Sequence, residues 1–148
     1  MVALSVLALA VTLQPAPKPP QELAALAAKA GLAPSIVTWC RAEFQSGQPG
    51  SFAVAVGADG AGRYLALDAD GRPTALSEFK GRADLSCYTR AEAEKLDQSI
   101  RQSDTIHGHV APRWNTTVVC GFTDETTAHC WQYSPVDRTF VTVGGWTT

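Results

Sequence analysis

The chain has 148 residues, 18% charged and 8% aromatic, with 12 Lys and Arg set against 14 Asp and Glu for a net charge of −2. That is the length of one domain, and its apolar content argues against global disorder. The charge balance argues against a general nucleic-acid binder, which needs a clustered basic face to displace phosphate counterions. Here Arg63, Arg72, Lys80, Arg82 and Arg90 interleave with Asp68, Asp70, Glu78 and Asp84.

Residues 1–13 read as a signal-peptide-like segment. Val2 to Leu13 is almost unbroken apolar sequence, too short to span a bilayer, and Ala8-Leu9-Ala10 has the small-x-small pattern of a cleavage site. No Lys or Arg precedes the apolar run, a departure from the usual pattern. Residues 14–20, Gln14-Pro15-Ala16-Pro17-Lys18-Pro19-Pro20, form a Pro-rich linker with polyproline character. Residues 21–148 are then a single domain. The implied location is secreted or periplasmic, with membrane contact only through the export signal.

Four cysteines, an even number, fit an oxidising compartment. The expected pairs are Cys120–Cys130 and Cys40–Cys87. No C-x₂-C occurs and the four positions are scattered, which disfavours zinc.

In chain order, Pro20 to Ala30 predicts a helix, with Glu22 in its first turn, Lys29 in its last and Gly31 just beyond. A second helix is expected from a Ser35 cap to about Gln45, because Ile36, Cys40 and Phe44 recur every four residues. A meander follows. Phe52 to Val56 is apolar on both faces and predicts a central strand; Arg63 to Leu67 is the second strand. Pro73 to Phe79 is an edge strand, since Pro73 cannot donate to a ladder. Asp59-Gly60 and Asp70-Gly71 are the turns. Asp68-x-Asp70-Gly71 lacks the carboxylates of a calcium loop, with Ala66 and Ser77 at the end positions.

Thr89-Arg90-Ala91-Glu92 is a capping box that starts a helix from Arg90 to about Gln102, with Ala93, Leu96 and Ile100 facing inward. Thr105 to Val110 is a strand. Trp114 to Tyr133 reads as a β-hairpin, in which Cys120 opposite Cys130 places Phe122 opposite Ala128 and leaves Asp124, Glu125 and Thr126 at the tip. Arg138 to Val143 is the last strand. The expected fold is α+β: an antiparallel β-sheet of about six or seven strands in two meanders, packed with two or three helices and stabilised by two disulfides.

Ile106-His107-Gly108-His109-Val110 offers two imidazoles on one strand face, with His129 or Asp104 as a further ligand. No Glu follows closely, so the H-x-H-plus-Glu pattern of cupins is not met, and no metal or cofactor is expected. General acid–base chemistry is the enzymatic alternative. His107, His109 and Arg113 are its catalytic candidates, in an arrangement similar in outline to small secreted ribonucleases, without a family motif. No P-loop, G-x-G-x-x-G or G-x-S-x-G occurs. Trp131 and Tyr133 share a strand face with His129, and these three are the candidate binding residues. The leading expectation is an exported, disulfide-stabilised binding module for a protein or envelope ligand, possessing no catalytic role. The alternative is a secreted hydrolase using the His107/His109 face.

Overall fold

A computed structural model describes residues 18–148 apart from Ala33, Pro34 and Asp59. The signal-like segment 1–13 and linker residues 14–17 lie outside the described residues, as does the Asp59 half of the expected Asp59-Gly60 turn. The described elements, in order, are α1 (Gln21–Lys29), β1 (Ile36–Ala42), β2 (Ser51–Ala58), β3 (Ala61–Leu67), β4 (Pro73–Lys80) and β5 (Leu85–Tyr88). They continue with α2 (Arg90–Arg101), β6 (His107–Val110), β7 (Val118–Phe122), β8 (Thr127–Ser134) and β9 (Thr139–Thr147). Among the described residues there are nine strands and two helices. The strands form two antiparallel sheets, ordered β1-β2-β3-β4 and β5-β7-β8-β9-β6.

Two expectations are corrected. The expected single sheet of six or seven strands is two sheets of four and five strands packed face to face, and β1 and β5 add to the predicted set. The helix expected from Ser35 to Gln45 is strand β1. Ser35 caps nothing there: its amide donates to the Leu32 carbonyl at 2.8 Å, and its carbonyl accepts from Gly57 at 3.1 Å. A spacing of four satisfies both a helix and a strand, so Ile36, Cys40 and Phe44 could not separate them. The run Ile36-Val37-Thr38-Trp39, three β-branched residues and an indole, decides for the extended chain. A register shift between Ile36 and Thr38 then sets Ile36 and Trp39 on one face.

Burial explains the layering. Alternation in β2 and β3 sends Phe52, Val54, Val56, Leu65 and Leu67 outward against Leu23 of α1. Their neighbours Ala53, Ala55, Tyr64 and Ala66 face the other way and pack with Val119 and Trp131 of the second sheet. The second sheet's far face carries Val118, Cys120 and Cys130, which pack under Ala93 and Ile100 of α2. The result is four layers: helix, sheet, sheet, helix. Small alanines on the inner face of the first sheet leave room for the large rings that fill the middle.

Local sequence sets the ends. Helix α1 stops in a Schellman turn, with Gly31 at φ +71° and the Leu32 amide donating to Ala27 at 2.8 Å. The Thr89 hydroxyl accepts from the Glu92 amide at 3.3 Å, the first half of the capping box; the Glu92 carboxylate, expected on a backbone amide, instead accepts from the Thr89 hydroxyl at 2.8 Å. Asp97 ties α2 to the sheet: it accepts from the Val110 amide at 2.7 Å and from Arg101 at 2.8 Å.

Both disulfides form as paired above. Cys120 and Cys130 are opposite each other in the β7–β8 ladder, with Cα atoms 4.1 Å apart and Phe122 opposite Ala128. Cys40–Cys87, with Cα atoms 5.7 Å apart, joins edge strand β1 of one sheet to edge strand β5 of the other. Tyr64 makes a second cross-sheet link. Its hydroxyl donates to the Phe122 carbonyl at 2.6 Å and accepts from the Asp84 amide at 3.1 Å. Burial pushes the phenol above its usual pKa; the hydrogen bond with the Asp84 backbone opposes this and the Asp84 charge adds to it. The disulfides point to an oxidising compartment. Among the described residues, no helix is long and apolar enough to cross a membrane.

Candidate functional site

Three segments distant in sequence meet beside the β8–β9 turn and leave an open groove of about 580 Å³. Phe44, Trp114 and Tyr133 supply its aromatic walls, and Gln45, Asn115 and Arg138 its polar groups. No Asp or Glu lines it. A few convergent polar groups around apolar walls, in a volume of this range, are the ordinary make-up of a small-ligand site.

Each wall is held from behind. Phe140 of β9 lies opposite Tyr133 in the ladder and meets both Tyr133 and Phe44 edge-to-face, at centroid distances of 5.4 and 5.0 Å. The 43–45 segment is pinned by a reciprocal pair: the Glu43 amide donates to the Thr117 hydroxyl at 2.7 Å, and the Thr117 amide to the Glu43 carbonyl at 2.9 Å. The Glu43 carboxylate accepts from the Gly47 amide, closing the next turn.

Gln132 holds the third wall. It is fully buried, and its amide nitrogen donates to the Trp114 carbonyl at 3.0 Å and to the Thr116 carbonyl and hydroxyl at 3.1 and 3.0 Å. Its oxygen accepts from the Arg113 amide at 3.1 Å. One buried side chain therefore shapes residues 113–116. Arg138 has φ +53°, a left-handed conformation uncommon outside glycine. It closes the turn in which Ser134 donates to Asp137 at 2.9 Å, and its own amide donates to the Ser134 carbonyl at 2.8 Å.

The expected binding residues divide. Tyr133 lines the groove. Trp131 is buried between the sheets, 6.0 Å from the Tyr64 ring, so its area serves the core. His129 is exposed and lies over Trp131 at 6.3 Å.

Strand pairing puts the histidines in neighbouring rows. His109 and His129 flank Gly145, while His107 and Thr127 flank Thr147. All three imidazoles are exposed, and none lines a groove described here. Arg113 is anchored through its amide to Gln132, which alternates to the face opposite His129. Nothing in that anchoring brings Arg113 to the histidine rows. Among the described residues, no three His, Cys, Asp or Glu side chains gather as metal ligands.

A second depression, about 400 Å³, is lined by Arg82, Asp84, Phe122, Asp124, Glu125 and Thr148. Its carboxylates are mostly committed. Asp84 pairs with Arg82 at 3.0 Å, and Asp124 accepts from the Thr126 and Thr127 amides at 2.8 and 2.7 Å. Those amide bonds hold Asp124 below the usual aspartate pKa.

Phe44, Gln45 and Arg138 were not readable as site residues. Phe44 belonged to the expected helix face, and nothing local ties it to Trp114 or Arg138. Against known proteins, no family model matches this chain, and neither a curated protein nor a solved structure does.

Proposed function

We propose that this is an exported, non-catalytic binding module whose ligand occupies the groove between Phe44, Trp114 and Tyr133. The observation that carries the reading is the groove's construction. Aromatic walls are fixed in advance by Phe140, Gln132 and the Glu43–Thr117 pair, so little side-chain freedom remains to be lost on binding. Export is supported by the two disulfides together with the signal-like 1–13 segment. The rival, a hydrolase acting through the His107/His109 face, has less support, since none of the grooves described here is lined by Arg113 or an imidazole.

A fragment screen by ¹H–¹⁵N NMR on the folded, oxidised protein tests the reading. Shifts clustered on residues 44–46, 114–116 and 133–138 are expected. Hits concentrated on the histidine rows, with phosphodiester cleavage lost in the His107→Ala, His109→Ala double variant, would favour the hydrolase instead.

A further inference from the structure

Resting on that reading, we infer that the groove's ligand is an acidic oligosaccharide, with a pyranose face on Trp114 or Tyr133 and a carboxylate on Arg138. The charge of the lining comes first. Arg138 is the one ionised residue lining the groove, and its guanidinium makes no ion pair among the described residues. The lining holds no carboxylate, and the neighbouring Asp137 carboxylate is taken by Ser134, so this cation at the edge of an apolar groove favours an anion. Arginine's planar fork suits a carboxylate.

The remaining lining narrows the class. The positive C–H edges of a pyranose face suit the negative face of an aromatic ring, and its hydroxyls suit the side-chain amides of Gln45 and Asn115. An extended peptide would dock best on a free strand edge. None is offered here. Strands β8 and β9 lie inside the sheet, and the Thr117 and Glu43 backbones already bond each other. A nucleotide's phosphates would want several donors at a glycine-rich turn or helix N-terminus, and no helix contributes to this lining.

The test compares tetragalacturonate, its methyl ester and a carboxylate-terminated proline-rich peptide by isothermal titration calorimetry, with NMR shifts locating each. The acid should bind at the groove at least tenfold more tightly than the ester. Arg138→Gln should erase that difference, and either Trp114→Ala or Tyr133→Ala should weaken both sugars at least tenfold. Arg138→Gly removes the guanidinium while permitting the left-handed backbone, so it separates lost recognition from a misfolded turn; it should behave as Arg138→Gln does. Equal binding of acid and ester, tighter binding of the peptide, or no groove shifts with any of the three overturns the inference. The fragment screen judges the groove reading separately: fragments that bind the groove while the sugars do not leave that reading intact.

Discussion

Replacing Gln132 with leucine should loosen the groove and destabilise the whole domain. The side chain is fully buried and leucine is close in volume, so the change leaves little cavity and mainly removes hydrogen bonds. The amide nitrogen has two hydrogens for its three acceptors, and the oxygen accepts once, giving three effective bonds. Each leaves a partner group wholly or partly shielded from water, at roughly 1–1.5 kcal/mol apiece, for a total of about 3–4.5 kcal/mol. In a domain of this size, that corresponds to a fall in Tm of about 10–15 °C. Urea unfolding followed by tryptophan fluorescence and by far-ultraviolet circular dichroism would measure it. In parallel, amide exchange at residues 113–116 should speed up in the native state. A loss under about 1 kcal/mol, with exchange unchanged, would show that Gln132 does not hold the 113–116 wall.

Asp97→Ala should cost about 2 kcal/mol, because it leaves the Val110 amide unpartnered, while Arg101→Ala should cost only tenths; urea midpoints of the two variants compare them. Removing Cys40–Cys87 by alanine at both positions should cost about 4 kcal/mol on the chain-entropy model for its separation of 47, read from denaturant curves. Tyr64 adds a pH dependence. Its pKa is raised in the fold, so the folded protein keeps a proton that the unfolded chain releases near pH 10. The resulting stability is full below pH 10 and is lost as pH climbs through the raised value. Thermal melts from pH 8 to 11 should therefore fall more steeply for the wild type than for Tyr64→Phe; parallel curves would refute this.

Local signals were legible in the sequence; distant assembly was not. The Thr89 cap, the Gly31 stop and the Cys120–Cys130 hairpin each depend on residues within about a dozen positions, and each forms where it was read, although Glu92 bonds the Thr89 hydroxyl and not a backbone amide. Strand β1 failed because spacing alone is ambiguous at four residues. Strand β5 failed for a different reason: Leu85-Ser86-Cys87-Tyr88 is only four residues long and has no clear alternation, and its pairing with β7 is what makes it a strand. The split into two sheets depends on which faces meet, and continuous apolar runs such as Phe52 to Val56 do not specify that. The groove was hidden for the same reason. Of its aromatic walls only Tyr133 stood out, through its place beside Trp131, while Phe44 and Gln45, which follow β1, join it only once the sheets have stacked.

The Cys40–Cys87 bond also bears on what a protease cut would do to the protein. The covalent ring it closes contains the exposed run Gln45–Gly50 and the exposed pair Ala69-Asp70, the kind of loop tips where enzymes first nick a folded chain. A single cut anywhere from 41 to 86 yields two polypeptides still tethered through sulfur, neither able to diffuse away. The inner layers then need only re-zip in place, so that damage lethal to a reduced chain becomes a scar in this one.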